Sequence, residues 1–440
     1  MPTSFLPYEP KQDFLLPPTL SEWLPEHHLA YFVSELIDGL DLQIFYARYE
    51  GDGRRNQPFD PAMLVKVLVY GYATGVFSSR KMARKLFEDV AFRMLGAGNF
   101  PSHRTICDFR LRHLPELKEL FVQVAQLARE LGMVKLGTLG LDGTKIKANA
   151  SKHKAMSYGR MKEQEQKLKQ EIEALLERAR TTDAQEDARW GVDQAEEELP
   201  AELRRRQERL AKIEQAKARL EARQAEADRE RGRHPDDQQR RGDGAGRPFK
   251  HAFGVPEDKA QDNFTDPQSR IMKMGGNIEQ CYNAQAAVDG HSQLIIANGL
   301  TNNAADNGEL LSMIEAVRNN LGELPKQILA DSGYRSEQAF AELEQQGVEA
   351  LVALGREGKN PAAIDPECYP ASARMAERLA TPEGKAQYRR RKVIPEPVFG
   401  WIKHIMGFRQ FSLRGLTKVT GEWSLVCLAL NVRRMWALQT

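Results

Sequence analysis

Apolar residues recur three and four positions apart along the first part of the chain, which is the spacing of amphipathic helices. One such run covers residues 29–40, and Gly39 marks its end. Another helix begins where Asp60 precedes Pro61, because aspartate caps free N–H groups and proline suits the first helical position. The pattern predicts a helical domain over residues 1–130.

Two short helices near the end of this domain carry basic residues. Ser78 or Ser79 can cap the first, whose expected inward positions are Met82, Ala83, Leu86 and Phe87. A glycine-containing segment leads to the second, which carries Arg104, Arg110 and Arg112. This arrangement is compatible with helix-turn-helix docking on DNA, and these arginines are the candidate contacts. An ordinary solvated surface is the alternative, since any helical domain has a charged outer face.

From Val134 the apolar pattern alternates, which predicts β-strands. We expect the first strand to close at Asp142, before a glycine, and strands to resume at about Cys281 in a hairpin that turns at Asp289 and Gly290. A helix over 307–321, a short strand ending at Asp331, and a further helix and strand follow. Residues 131–150 and 277–405 are thus predicted to form an α/β unit around a mixed sheet, in a chain that is α+β overall.

Residues 151–276 interrupt that unit and are rich in Glu, Lys, Arg, Gln and Ala. Apolar residues at four-three spacing on both sides of Pro200 predict an antiparallel, coiled-coil-like helical hairpin. Its arginine runs could touch phosphates, but the interspersed glutamates also suit a solvated helix face. We expect residues 232–262 to be mobile and basic, and residues 406–440 to form a C-terminal helical region.

Charge and composition narrow the class of protein. The 440 residues include 63 Lys+Arg against 61 Asp+Glu, so any nucleic-acid-binding surface must be local. No apolar run approaches the roughly 18 residues that span a bilayer, and the N-terminus does not have the pattern of a secretory signal. The 4 cysteines show no metal-ligand spacing. These features predict a cytoplasmic protein with free thiols and no membrane partner.

Two aspartates lie where catalytic groups collect in α/β folds, at the carboxyl ends of strands. Asp142 and Asp331 would repel each other there unless a cation neutralised them. Oxygen ligands without histidine or cysteine suit Mg²⁺ or Mn²⁺. A strand-end aspartate is also a common turn residue, and we interpret Asp289 and Asp306 as turn and capping residues.

A third carboxylate, Glu396, stands at the start of a predicted helix with Pro397 at its first position. Lys403 follows seven residues later, about 10 Å along the same helix face. Stacking and cationic groups precede them, namely Tyr388, Arg389, Arg390, Arg391 and Lys392. This set could hold a metal ion and a phosphate; the alternative is a capping glutamate beside a basic loop.

The segments LGLDGTKIKANAS, ILADSGY and EPVFGWIK, with FSLRGLTKVTGEWSLVCLALN near the end, resemble bacterial insertion-sequence transposases of the DDE type. The resemblance covers nearly the whole chain and implies an RNase-H-like mixed sheet. It further implies that Asp142, Asp331 and Glu396 are catalytic ligands of Mg²⁺ or Mn²⁺, with two ions expected. Tyr388, Arg391 and Lys403 match the family's Tyr, Arg and Lys positions.

One spacing departs from the family pattern. Four residues separate Arg391 from Glu396 where the family has three, so Lys392 is the alternative for the arginine position.

The resemblance implies that the protein cuts and joins the ends of an insertion sequence by two-metal phosphoryl transfer. The implied partners are double-stranded DNA with terminal inverted repeats, target DNA and a second copy of the chain, in the nucleoid of a bacterial cytoplasm. A stand-alone RNase-H-like metal nuclease and a catalytically silent or domesticated DNA-binding protein are the alternatives. A coiled-coil scaffold would account only for residues 160–230.

Overall fold

The computed structural model describes residues 19–49, 57–190, 201–235, 251–355 and 364–439. Short helices fill the first part of the chain, as predicted. They are α1 (Leu29–Asp38), α2 (Gln43–Tyr46), α3 (Pro61–Ala73), α4 (Ser79–Glu88), α5 (Val90–Leu95), α6 (His103–Arg112) and α7 (Leu114–Glu130). The predicted cap of α3 is confirmed, since Asp60 Oδ1 accepts from the N–H of Ala62 at 2.7 Å.

One inward position of α4 was predicted wrongly. Met82 and Leu86 are buried, but Phe87 is 61% exposed. Phe87 lies one residue beyond Leu86, and so about 100° around the helix from the buried stripe. Its ring stacks on Phe100 instead, with the centroids 4.2 Å apart.

The remaining elements form a mixed sheet, a helical insertion and a C-terminal helix. The strands are β1 (Thr138–Lys147), β2 (Ala155–Ser157), β3 (Gln261–Asn263), β4 (Arg270–Met274), β5 (Asn277–Asp289), β6 (Ile295–Thr301), β7 (Gln327–Ala330) and β8 (Glu349–Val352). The helices are α8 (Tyr158–Trp190), α9 (Ala201–Glu230), α10 (Glu309–Leu321), α11 (Glu337–Gln345), α12 (Pro370–Ala380), α13 (Pro382–Arg389), α14 (Pro395–Gly400) and α15 (Leu416–Gln439).

The main sheet has the order β4-β5-β1-β7-β8, and β6 also pairs with β5. β1 runs antiparallel to β5 and parallel to β7. The predicted mixed sheet is therefore confirmed. The β5–β6 hairpin turns through a longer loop than the predicted two-residue turn, and Asp289 organises it by accepting from the N–H of Ser292 at 2.9 Å.

Asp142 lies inside β1 and does not close it, contrary to the prediction. β1 stays extended through Gly143 because its second half remains paired with β5, from Gly143 opposite Gln285 to Lys147 opposite Cys281. Asp331 does follow the last residue of β7, as predicted.

The insertion is a helical hairpin with its own small core. Ion pairs join Glu171 to Arg206 and Glu165 to Lys217, so α8 and α9 run antiparallel as predicted. Buried residues between the helices include Met161, Leu168, Ile213, Ala216 and Leu220.

The expectation that residues 232–262 are mobile can be compared with the structure only in part. Residues 236–250 of it, like Pro200 of the hairpin, lie outside the described residues. Its last residues form β3, which pairs with β2, so that part of the expectation is wrong.

The C-terminal helix α15 joins the helical domain to the sheet. It packs against α3, α7 and β6. Trp423 Nε1 donates to the carbonyl of Gln285 at 3.0 Å, and Asn431 Nδ2 donates to that of Ile295 at 2.7 Å. Within the described ranges, no helix combines the length and the apolar character needed to span a membrane.

Candidate active site

The parallel pairing of β1 with β7 brings two of the predicted acids together. Gly140 lies opposite Leu329, so the same register carried two residues further sets Asp142 opposite Asp331. Asp142 Oδ1 accepts from the N–H of Gly143, and Asp331 Oδ1 accepts from the N–H of Gly333, both at 2.8 Å. Each carboxylate is thereby held by a backbone N–H one or two residues further along the chain.

The electrostatics of Asp142 reflect this convergence. Burial, together with the negative charges of Asp331 and Asp306, raises the pKa of Asp142 to about 6. The N–H of Gly143 and the guanidinium of Arg391 act in the opposite direction, lowering this pKa. Like charges at one site cost folding free energy, so a bound cation would stabilise the arrangement.

A third carboxylate here is Asp306, which was interpreted as a capping residue. That interpretation is wrong, because the residue before α10 is Gly308 and the Asp306 side chain points elsewhere. Asp306 Oδ1 accepts from Asn283 Nδ2 at 2.6 Å and from Gln285 Nε2 at 2.7 Å. Gln285 Oε1 in turn accepts from the hydroxyl of Tyr334, in the turn after Asp331.

Two glycines, Gly143 in β1 and Gly333 after β7, allow Asp306 to lie close to the backbone beside Asp142 and Asp331. A Cβ added to Gly143 would lie 2.6 Å from Asp306 Oδ1, and one added to Gly333 would lie 3.0 Å from Asp306 Oδ2. A side chain at either position would push the carboxylate away. The sequence does offer one indication of Asp306, since it lies in the loop between β6 and α10, five residues after β6 ends.

Lys403 reaches the same face of β1. Its Nζ donates to Thr144 Oγ1, two residues beyond Asp142. Burial lowers the pKa of Lys403, while the negative charge of Asp142 opposes that change.

The helix that carries Lys403 differs in detail from the prediction. Residues 401–405 form a π-helical turn after α14, and Pro395, not Pro397, occupies the first helical position.

Glu396 lies on the helix that begins over Gly140, two residues before Asp142 in β1. A Cβ added to Gly140 would lie 2.7 Å from Pro395 Cδ and 2.8 Å from Ile394 Cγ2. Gly140 and Asp142 point to the same face of the sheet, since side chains alternate along a strand. Glu396 itself is exposed.

The structure does not assemble the predicted three-acid ligand set. Among the residues that it describes, no three His, Cys, Asp or Glu side chains are arranged to hold a metal ion. Asp142 and Asp331 are neighbours, and Glu396 is placed on the adjacent helix without joining them.

Of the two candidates for the arginine position, Arg391 faces the site. It is half-buried, its guanidinium carbon lies 5.8 Å from the ring centroid of Tyr388, and its charge lowers the pKa of Asp142. Arg391 Nε is buried and, within the described chain, has no hydrogen-bond partner. Lys392 is exposed.

The arginines of α6 divide into two groups. Arg104 and Arg112 are exposed. Arg110 is only 5% exposed, and its Nη1 donates to Tyr72 Oη at 2.9 Å and to the carbonyl of Phe77 at 3.1 Å. The expectation that Arg110 contacts DNA is therefore wrong, because its guanidinium is buried and forms hydrogen bonds inside the helical domain.

Comparison with known families matches two separate parts of the chain. Residues 248–432 match the family model of the transposase DDE domain, and residues 18–112 match that of a transposase domain (DUF772). Asp331 and Glu396 lie inside the first match, whereas Asp142 lies between the two. No curated protein and no solved structure matches the chain.

Proposed function

Because the chain belongs to the insertion-sequence transposases of the DDE type, we propose that it cuts and joins DNA at the ends of its element. The catalytic domain of the family is RNase-H-like, in agreement with the mixed sheet described above. We assign the chemistry to Asp142, Asp331 and Glu396.

The observation that carries the proposal is that Asp142 and Asp331 lie side by side where β7 ends. Two carboxylates side by side, one with its pKa raised to about 6, form a site that favours a divalent cation. All the donors are oxygens, which suits Mg²⁺ or Mn²⁺, and two ions are expected for phosphoryl transfer. When bound, such ions supply stabilisation of the charge that develops on the phosphate.

The chain's own residues would position the DNA around these acids. Lys403, fixed by Thr144, presents a cation to a phosphate beside Asp142. Arg391 supplies a second positive charge on the same side, and Tyr388 supports its guanidinium. Glu396 is the third acid, carried by the helix that begins over Gly140.

Asp306 has a positioning role in this proposal. Its carboxylate holds the amides of Asn283 and Gln285 and fills the space beside Gly143 and Gly333. In this proposal Asp306 keeps the β1 segment that carries Asp142 and the turn that follows Asp331 at a fixed separation.

The other parts of the proposal concern partners. The exposed Arg104 and Arg112 of α6 would contact terminal inverted repeats, and Lys392 would add a phosphate contact. Both ends of an element must be held together, so a homodimer on DNA, acting on target DNA in the bacterial nucleoid, is the proposed working form.

Substitution of the three acids tests the proposal. The substrate is a duplex from the border of the element, cut in the presence of Mg²⁺ or Mn²⁺. Asp142→Asn, Asp331→Asn and Glu396→Gln should each lower the cleavage rate by about a hundredfold or more, since each removes charge stabilisation in the transition state. Binding to the same duplex and the melting temperature should change little.

Glu383→Gln, an exposed substitution at the start of α13, is the matched control and should cut normally. Normal cutting by one of the three acid variants would remove that residue from the active site. Transfer of pre-cut 3′-hydroxyl ends into plasmid DNA distinguishes a transposase from a stand-alone nuclease, and binding without any cutting by the unmodified chain would indicate a silent DNA-binding protein.

A further inference from the structure

The edge of β1 on the β7 side is open next to the candidate active site. Pairing with β7 stops at Gly140, and the next backbone pairing on that side joins Lys147 to Gln410. Between these points, no strand of the described chain covers residues 141–146. Asp142 lies at one end of this open edge. Lys403 contacts the same stretch of β1 through the hydroxyl of Thr144.

The segment beyond β1 is held on one side by the chain before α15. Asn149 Nδ2 donates to the carbonyl of Ser412 at 2.6 Å, and Arg414 Nε donates to the carbonyl of Asn149 at 2.9 Å. Gln410 Nε2 donates to the carbonyl of Ala148 at 3.0 Å. These bonds fix the direction in which the chain leaves the sheet.

On its other side, this segment is held by the base of the insertion. Residues Lys152–Lys154 form a short 3-10 helix, and Ser151 Oγ accepts from the N–H of His153 at 3.3 Å. Asn263 Nδ2 donates to the carbonyl of Ser151 at 2.9 Å, and the N–H of Phe264 donates to that of Lys154 at 3.0 Å. The basic side chains thus project from a fixed backbone.

Positive charge dominates the cleft at this point. The cleft has a volume of about 520 Å³, and the charged side chains around it are Lys147, Lys152, Lys154, Arg414 and Glu279. Glu279 lies 3.4 Å from Lys147 Nζ and offsets that charge. Lys152, Lys154 and Arg414 are exposed, and none of them forms an ion pair with another described residue.

We propose that this cleft, which we call the β1 exit cleft (Lys147, Lys152, Lys154 and Arg414), binds the phosphate backbone of the duplex that leaves the active site. The proposal rests on the function proposed above and adds a location to it. Lys147 is five residues beyond Asp142, about 17 Å along an extended strand. At 3.4 Å per base pair, the cleft would meet the duplex about five base pairs from the cleaved phosphate.

Lysine footprinting tests the location without any need for catalysis. The intact chain is acetylated with and without a 30-base-pair mixed-sequence duplex, and modification is read by mass spectrometry. Lys152 and Lys154 should be protected by the duplex. Lys135 and Lys326 are the internal controls: both are exposed and precede β1 and β7, at the opposite end of the sheet, and should stay equally reactive.

The salt dependence of binding supplies a second, independent measurement. Each phosphate contact contributes about −0.9 to the slope of log K against log salt. The triple variant Lys152→Gln, Lys154→Gln, Arg414→Gln should bind the duplex about tenfold more weakly at low salt, with a slope smaller by about 2 to 3. Lys135→Gln with Lys326→Gln should leave both values unchanged.

The possible results distinguish failure of the cleft proposal from failure of the proposed function. The unmodified chain could still bind and cut DNA while Lys152 and Lys154 stay unprotected and the triple variant keeps its salt slope. That result would contradict DNA binding by the β1 exit cleft and leave the proposed function standing. A chain that binds no duplex would overturn both. A smaller salt slope in the triple variant supports DNA binding by the cleft, provided that its melting temperature is normal. The fold is then intact, and only positive charges have been removed.

Discussion

At the scale of single residues, the site depends on carboxylates kept close together against their mutual repulsion. Burial and the neighbouring Asp331 and Asp306 raise the pKa of Asp142 to about 6. Hydrogen bonds from Gly143 and Gly333 hold two of these acids in place. Such a cluster of negative charges is electrostatically unfavourable, and the divalent cation proposed above would offset that cost.

The role of Asp306 can be separated into charge and hydrogen bonding. Both amide donors reach the same oxygen, Oδ1, so Asp306→Asn can keep them while losing the charge. If Asp306 positions the backbone around Asp142 and Asp331, Asp306→Ala should lower the cleavage rate by about ten- to a hundredfold, and Asp306→Asn should restore most of it.

Single-turnover cleavage and the melting temperature of both variants give the measurement. Equal loss of cleavage in the two variants, with folding intact, would show that the charge matters and would contradict a purely positioning role.

At the scale of elements, α15 organises the molecule through a buried carboxylate. Glu422 is fully buried and accepts from the hydroxyl of Tyr72 at 3.2 Å and from the N–H groups of Ser412 and Leu413 at 3.0 Å and 2.9 Å. Tyr72 also accepts from Arg110 of α6. One network therefore connects three separate helices with the segment before α15.

This network predicts opposite effects for two arginines of the same helix. Arg110→Met should lower the free energy of unfolding by about 1–3 kcal/mol, because it leaves buried partners unsatisfied. Arg104→Met, on the exposed side, should keep that stability and weaken binding to element-end DNA.

Denaturant unfolding and fluorescence anisotropy on both variants check this pair. A specific loss of DNA affinity in a stable Arg110→Met variant would return that arginine to the DNA-binding surface.

At the scale of the whole molecule, the described part of the insertion is connected to the rest of the fold through its base, the β2–β3 sheet. Its ends meet because Ser157 pairs with Gln261 in the small β2–β3 sheet. Its apolar residues form a core separate from that of the helical domain and the main sheet. The insertion therefore behaves as an appendage of the fold.

Replacing residues 158–260 by a two-residue Asn-Gly turn should leave a folded protein, since that turn closes an antiparallel pair. The melting transition of the remaining chain should stay cooperative, within a few degrees of the full-length value. Removal of residues 201–230 alone is the control. It exposes the apolar stripe of α8, including Leu168, and should cause aggregation. Failure of the clean replacement to fold would show that the main core needs the insertion.

More of the fold than of the candidate site could be predicted from the sequence. The cap at Asp60, the end of β7 at Asp331 and the helical hairpin follow from local patterns, and the structure confirms them. The strand that carries Asp142 was given too early an end because a following glycine suggested a turn. Pairing with β5 keeps that glycine extended.

The sequence by itself determined most of the helices and the strands that carry the two aspartates, because capping and hydrophobic periodicity act over a few neighbouring residues. It did not reveal β2, β3 and β4, which lie within the predicted helical insertion. Only the tertiary structure decided that Asp306 lies beside Gly143 and Gly333, that Arg110 turns inward, and that Glu396 lies on the adjacent helix without completing a ligand set. Those outcomes depend on strand register and on packing between residues far apart in the chain, and no local pattern encodes either of them.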